Sequence, residues 1–489
     1  MPDLSKLTSW HSDWRGLRVA VLGLGVSGFS VADTLAELGA NVLGIARQVD
    51  ADTLDILGVI GVETLTGESA DSISDELLAF APDLIVTSPG FRPDSPIISW
   101  AEATGRPVWV DIDLAWRLRD KTDRVADWVV ITGTNGKTTT VQLTTAMLQA
   151  ASKKAIACGN IGEPILNAIR DPEGFDVLVV ELSSFQLHYL GEIHPAVSAV
   201  LNIADDHLDW HGSREAYAKA KGKAYHNAEI AVIYNVQDEA TFELADAADV
   251  ASEKTLGVGF TTGFPGDLQV GFVEESLIDR AFFPYRAKEL PELANLDDLA
   301  EIGIVTPHLK ANVAAATAMA RALGVTPEQI RSAIRNFKLD AHRIEVVAVA
   351  DGVTYVDDSK ATNPHAAAAS LASFDSVVWL VGGLLKGVDI GPLVAQNAGR
   401  LRAAVVIGEQ RAEVVAALRE HAPQVEVVEV DSTDRATVMS RAVAAAANLA
   451  KPGDAVLLAP AAASMDQFRD YADRGHAFAT AVHEILGDR

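Results

Sequence analysis

Residues 128–141 read WVVITGTNGKTTTV. The run WVVI is apolar on both faces, the mark of a strand buried in a parallel sheet. Small residues follow at Thr132, Gly133, Thr134, Asn135 and Gly136. Lys137, Thr138, Thr139 and Thr140 then open a helix that continues VQLTTAMLQAA. A glycine-rich turn between strand and helix aims backbone N–H groups at phosphate. Its lysine reaches the outer phosphates and its threonine hydroxyl binds Mg2+. The strict form of this loop has glycine where Ile131 stands, so the loop is a variant. It predicts an α/β sheet holding a nucleoside triphosphate beyond the strand's C-terminal end.

On either side of this stretch, apolar runs again alternate with helical ones. The runs 17–22, 41–45, 84–87 and 108–110 predict strands, and 29–38 and 74–80 predict helices. The charged stretch 118–127 (LRDKTDRVAD) is read as a linker or an exposed helix end. Beyond it, strands are expected at 128–131, 177–180 and 196–203, and a helix at 312–323. The region near 238–300 is acidic and weakly periodic. A third group of strands is expected at 353–356, 377–381, 403–407, 425–428 and 455–458, with helices at 412–420 and 436–449. At ~150 residues per domain, 489 residues suggest about three domains. The expected division is 1–124, 125–336 and 337–489, all α/β.

A second glycine loop, Gly23-Leu24-Gly25-Val26-Ser27-Gly28, follows the strand LRVAVL and precedes a helix ending at Gly39. Its context suits a dinucleotide fold, but no acidic residue ends the next strand, which reads LGIAR (43–47). NAD, another nucleotide and a purely structural turn all remain open. Two phosphate cradles on two sheets suggest one nucleoside triphosphate and one nucleotide-linked substrate.

Glu181 ends the strand DVLVV, where a carboxylate points into the ligand crevice and suits Mg2+. An ordinary strand-end charge is the alternative. His207 lies among acids in NIADDHLD (202–209) and is read as a metal or anion ligand or as a structural histidine. Lys219, Lys221 and Lys223 read as surface lysines.

The formal charge of −27 argues against coating nucleic acid. The single cysteine, Cys158, excludes an internal disulfide and reads as a small buried thiol. The N-terminus shows no basic-then-apolar signal and no uncharged apolar stretch reaches ~18 residues, so a cytoplasmic protein without membrane or obligate protein partner is expected.

Taken together the motifs resemble the Mur ligases, ATP-dependent amino-acid ligases of peptidoglycan synthesis. They are TGTNGKTTT (132–140), GNIGEP (159–164), ELSSFQL (181–187), N-x-x-x-D-H-x-D (202–209), AHRIE (341–345), DDSKATNP (357–364), Lys386-Gly387 and PAAASMDQF (460–468). The resemblance implies three domains: a Rossmann-like N-terminal domain, a central P-loop ATPase-like domain and a C-terminal Rossmann-like α/β domain. It implies that UDP-N-acetylmuramoyl-L-alanine and D-glutamate are joined through an acyl phosphate. Val26, Ser27, Ser88, Pro89 and Gly90 would take the uridine diphosphate part, and Asn160 the muramoyl-alanine arm. Gly133, Thr134, Asn135, Gly136, Lys137, Thr138, Thr139, Asn312, Arg343 and Asp358 would bind ATP. Mg2+, or Mn2+, would sit on Thr138, Glu181, His207 and a carbamylated Lys221. Lys137, Lys221, His207 and Lys360 would be catalytic, and Thr362, Lys386, Ser464 and Tyr471 would hold D-glutamate. Where the family has His-Asn-x-x-Asn, this chain reads His308-Leu309-Lys310-Ala311-Asn312. The Gly-Gly-x-Gly-Lys turn reads Gly382-Gly383-Leu384-Leu385-Lys386.

Overall fold

The computed structural model describes residues 2–283, 292–338, 342–431 and 437–487. Ala341 of the AHRIE motif and Ala436 at the start of an expected helix fall outside these, as does part of the acidic region. Among the described residues the strands form three sheets, of five, nine and six strands.

The first sheet contains β1 (Arg18–Leu22), β2 (Asn41–Ala46), β3 (Glu63–Thr66), β4 (Leu84–Thr87) and β5 (Val108–Trp109), in the order β3-β2-β1-β4-β5. Its strand pairs are parallel. The strand order reverses between β1 and β4, and both glycine-loop and Ser88 backbones leave the sheet at that point. This is where open α/β sheets bind ligands.

The second sheet runs β6 (Asp127–Thr132), β7 (Ala155–Gly159), β8 (Val177–Glu181), β9 (Val197–Val200), β10 (Ala231–Asn235), β11 (Leu256–Phe260), β12 (Gln269–Val273), β13 (Ser276–Asp279) and β14 (Glu292–Asn295). β6 lies between β8 and β9, parallel to both. Its apolar residues Trp128–Ile131 are almost wholly buried, as the uninterrupted apolar run predicts. β9 stops at Val200, three residues before the expected end. Beyond it the chain serves the loop: Asn202 accepts from and donates to Asn135 instead of continuing the strand. Cys158, on β7, is buried, and burial pushes its thiol far above the ordinary range.

The third sheet runs β15 (Glu345–Ala350), β16 (Val353–Asp357), β17 (Val377–Val381), β18 (Leu401–Val406), β19 (Glu426–Glu429) and β20 (Ala455–Leu458), in the order β15-β16-β20-β17-β18-β19. β15 pairs antiparallel to β16, and the remaining pairs are parallel.

The chain divides into two compact units. One comprises Met1–Ile203, Glu215–Ala294 and Asn312–Ala333; the other comprises Ala204–Arg214, Asn295–Ala311 and Ile334–Arg489. In the first unit a smaller apolar core around Leu22 and Ile85 covers the first sheet, and a larger one runs across the first two sheets, from Trp14 and Leu35 through Ile112 to Leu187 and Tyr225. Hydrogen bonds reinforce it: the Ser30 hydroxyl donates to Asn167 at 2.7 Å, and the Gly191 amide to Asp113 at 2.8 Å. In the second unit apolar residues fill both faces of the third sheet. Among the described residues no helix is long and apolar enough to cross a membrane.

Candidate active site

The loop after β6 is held open by its own backbone. Gly133 has φ 152°, and a Cβ there would meet the Leu201 Cβ at 2.9 Å. Gly136 has φ 82° in the left-handed region, and a Cβ there would run into the Asn312 side-chain oxygen. Asn312, on the helix Pro307–Ala322, therefore lies directly against the loop. The helix Lys137–Ala150 begins at the next residue. The Lys137 ammonium folds back and donates to the carbonyls of Gly133 and Thr134, both at 2.9 Å.

Lys221 is the surprise of the loop's underside. Its side chain is only 2% exposed, and its ammonium donates to Gly133 O at 2.8 Å and to the Thr132 hydroxyl at 3.3 Å. The surface-lysine reading is thereby corrected: the short helix Arg214–Gly222 turns this residue inward against the loop. Two lysine side chains thus converge on one carbonyl beneath the loop. Tyr217, one turn earlier, shares a hydrogen bond of 2.9 Å with the Thr134 hydroxyl. The Asn135 amide donates to Asn202 Oδ1 at 2.8 Å, and Asn202 Nδ2 returns a bond of 3.0 Å. Sequence reasoning gave no role to Tyr217 or Asn202; the asparagine opening the NIADDHLD motif was the available signal.

Glu181 ends β8 beside this loop. Its Oε1 accepts from Asn160 at 3.0 Å, while its Oε2 is buried with no hydrogen-bond partner among the described residues. A buried carboxylate oxygen left unpaired costs free energy that a bound cation would offset. The donor set therefore fits Mg2+, which favours hard oxygen ligands. Thr138 and Thr139 stand nearby on the first turn of the helix, both largely buried.

At the switch point of the first sheet lies a cavity of about 670 Å3, lined by Val26, Ser27, Ser88, Pro89 and Gly90. The Ser88 hydroxyl donates to Gly23 O at 3.2 Å and ties the two turns together. Val26 is 75% exposed, an apolar side chain left uncovered at a ligand-sized opening. Asn160, expected to act on the same substrate, donates to Glu181 Oε1 at 3.0 Å.

In the second unit the Lys360 ammonium stands 3.8 Å from the centre of the Tyr471 ring, a cation–π contact. Asp358 is buried and accepts from the Ser370 hydroxyl and from the Ile344 amide at 3.2 Å. Burial pushes its carboxyl up to about 6, partly opposed by Ser370 and by the Arg343 charge. Ser359 donates to Tyr471 O at 2.7 Å. Beneath it Arg474 is fully buried, donating to the Ser359 hydroxyl at 2.9 Å, Ser359 O at 2.8 Å and Ala462 O at 3.1 Å; burial brings its guanidinium down to about 10. The Thr362 amide donates to Lys360 O at 2.8 Å, and Ser464 is buried where its backbone carbonyl caps Gln467 and Phe468.

Lys386 and His207 meet through a residue the sequence left without a role. Asp206 Oδ1 accepts from the Lys386 ammonium at 2.6 Å, and its Oδ2 lies 3.6 Å from His207 Nε2. Asn363 reaches the same carboxylate at 3.5 Å. His207 has φ 54°, a strained left-handed backbone for a side chain of this size.

Residues 131–320 match the model of the Mur ligase middle domain, and residues 342–462 that of the Mur ligase, glutamate ligase domain. The UDP-N-acetylmuramoylalanine--D-glutamate ligase of Leifsonia xyli subsp. xyli is 55% identical over 495 residues, covering 99% of this chain and 96% of that protein. The chain belongs to the Mur ligase family. The corresponding ligase of Streptomyces coelicolor is 48% identical, covering 97% of this Mur ligase and 99% of its own length. Among solved structures, a UDP-N-acetylmuramate-alanine ligase from Thermotoga maritima aligns with a TM-score of 0.56 at 17% identity, covering 96% of this chain and 100% of its own. A MurF ligase from the same organism, in complex with ADP, aligns at 0.53 and 18%, covering 100% of both. At such identities these two speak for the shared Mur ligase fold.

Proposed function

We propose that the chain joins D-glutamate to UDP-N-acetylmuramoyl-L-alanine at the expense of ATP, in peptidoglycan precursor synthesis. The observation that carries the chemistry is the loop 132–140, where Lys137 and Lys221 converge on Gly133 O beside the unpaired oxygen of Glu181. The division of labour follows the segments 1–124, 125–336 and 337–489, for UDP-substrate, ATP and D-glutamate.

A carboxylate is a poor acyl donor because oxide would have to leave. Transfer of the γ-phosphoryl group to the muramoyl-alanine carboxylate makes an acyl phosphate, from which phosphate can leave. The D-glutamate amine then attacks, a tetrahedral oxyanion forms, and its collapse expels phosphate and leaves the amide. Val26, Ser27 and the turn Ser88, Pro89 and Gly90 receive the uridine diphosphate part, and Asn160 the alanyl arm. On ATP binding, Lys137 exchanges backbone carbonyls for phosphate oxygens, and the loop amides of Gly133 to Thr139 cradle them. Asn312, Arg343 and Asp358 address the rest of the nucleotide. Thr138, Glu181, His207 and a carbamylated Lys221 would hold Mg2+, which neutralises phosphate charge when bound. Lys360 stands at the reaction centre and stabilises the oxyanion. Thr362, Lys386, Ser464 and Tyr471 take the D-glutamate carboxylates, for which Asp206 is the stand-in at Lys386.

The test is phosphate release with ATP, Mg2+, UDP-N-acetylmuramoyl-L-alanine and D-glutamate, each omitted in turn. All four are expected to be required, and Lys137→Ala to be at least ~100-fold slower. Faster turnover with L-glutamate, glycine or diaminopimelate would overturn the D-glutamate assignment.

A further inference from the structure

A second large cavity opens at the other end of β6. It measures about 680 Å3, within the usual size of small-molecule sites, and is lined by Trp116, Arg117, Arg119, Trp128 and His194. Asp127 and Trp128 begin β6, whereas the phosphate loop follows its last residue, Thr132. At ~3.3 Å per residue the two lie roughly 15 Å apart along the strand. None of the ligation chemistry uses this end.

Asp127, Glu192 and Glu229 also line the cavity, yet among the described residues none of them pairs directly with its two arginines. Arg117 stacks on Trp109 at 4.2 Å and donates to Leu7 O at 3.0 Å; Arg119 stacks on Trp116 at 4.1 Å and donates to Trp116 O. These contacts fix both guanidinium planes yet use one N–H of the five on each. Among the described residues neither forms an ion pair. Elsewhere in this acidic chain arginines do pair: Arg18 with Asp83, Arg321 with Asp279, Arg335 with Asp298. Glu192, at the rim, is engaged by His194 at 3.0 Å. At longer range Asp113 and then Glu192 act on Arg117, and Asp120 and then Glu229 on Arg119. Burial is the largest influence on both arginines and disfavours their charge. The third donor is Trp128, 1% exposed and edge-on to Trp116, whose indole N–H has no hydrogen-bond partner among the described residues.

We infer that this cleft is a binding site for a small oxyanion, a carboxylate or a phosphate, held by the Arg117 and Arg119 forks and the Trp128 indole N–H. A guanidinium fork matches two oxygens of either group, and charge-assisted bonds of this kind are the strong ones. The cleft is walled by residues from both of the first two sheets' segments, so an occupant bridges them inside the first compact unit.

The experiment uses the full chain with 15N-labelled tryptophan indoles, saturated with a non-hydrolysable ATP analogue and the UDP-substrate so that the two proposed phosphate cradles are filled. Inorganic phosphate is titrated in one arm and succinate in the other, and the Trp128 signal is assigned with Trp128→Phe. A saturable shift of that signal is expected in at least one arm. Phosphate alone assigns a phosphate ligand, succinate alone a carboxylate, and both together the shared oxyanion chemistry. Arg117→Gln and Arg119→Gln should each weaken binding about tenfold or more. Arg119→Lys, which keeps the charge and most of the stem, should also weaken it and guards against a folding defect in the glutamine variants. No shift in either arm, or a shift of equal midpoint in Arg117→Gln, Arg119→Gln and Arg119→Lys, overturns the site.

Discussion

At the scale of single residues, Glu181 carries the sharpest consequence. Its Oε1 is satisfied by Asn160, and its buried Oε2 is not. Glu181→Gln keeps an oxygen for Asn160 while removing the charge that a metal ion would meet. Turnover should fall ~10²–10³-fold, the usual loss for one electrostatic stabiliser. The metal-free variant should melt no earlier than the parent, because a buried unpaired charge has been removed. Phosphate release across a Mg2+ titration, beside a thermal melt, checks both; parental turnover would remove Glu181 from the metal site. This residue was readable from sequence because a strand-end carboxylate announces itself. Lys221 stood out only through the family resemblance, because its neighbours in REAYAKAKG are lysines and alanines with no marked apolar stripe. Its contact with Thr132 and Gly133, some ninety residues away, shows how it turns inward. Asp206 was hidden for a similar reason: its partner Lys386 is 180 positions distant.

At the scale of elements, the turn from β6 into the helix Lys137–Ala150 depends on Gly136. Its left-handed backbone costs an alanine roughly 1–2 kcal/mol, and the added methyl would displace Asn312. Gly136→Ala should therefore raise KM for ATP at least ~10-fold, with KM for D-glutamate unchanged, as steady-state kinetics can read. Equal KM values for ATP in variant and parent would remove the close approach of Asn312 from the account. Buried strands were the most legible elements. The run VVWLV (377–381) coincides with β17, and AVLL (455–458) with β20, because a continuous apolar stretch has few other ways to fold. The helix expected from residue 312 starts at Pro307, where Thr306 caps it by accepting from the Leu309 amide at 3.1 Å. That signal, threonine before proline, was present but lay outside the alanine-rich stretch. The antiparallel pair β12–β13 escaped notice because its turn is Glu274-Glu275. Glu274 takes φ 53° where asparagine or glycine would have marked a hairpin.

At the scale of the whole molecule, acidity and burial act in the same direction. Burial lifts Asp113 and Asp358 to about 6. Between about pH 4 and 6 the folded chain thus holds protons that the unfolded chain has released, so stability falls as pH rises through this window. Each carboxyl contributes on the order of 3 kcal/mol of that fall. Self-repulsion at a net charge of −27 adds to it. Asp83 and Asp454, held low by Arg18 and Arg402, work oppositely, losing their contribution as pH drops through the lower carboxylate range. Burial, with the neighbouring His365, holds His308 down at about 4, which works oppositely over the same range. The sign is therefore read as a difference: from pH ~4 to ~6.5 the parent's urea midpoint should fall relative to that of Asp113→Asn, and a constant difference would refute it. Composition alone foresaw the acidic character. It could not foresee that burial would lift Asp113 and Asp358, because that follows from the packing around Val110, Gly191 and Ser370. Finally, the lone sulfhydryl on β7 is sealed in the sheet and held in its unreactive protonated form. Maleimide dyes and other thiol-directed reagents should find no target in the folded chain. A single cysteine introduced at the surface would then take a fluorophore at one place only, without first stripping the protein of its own.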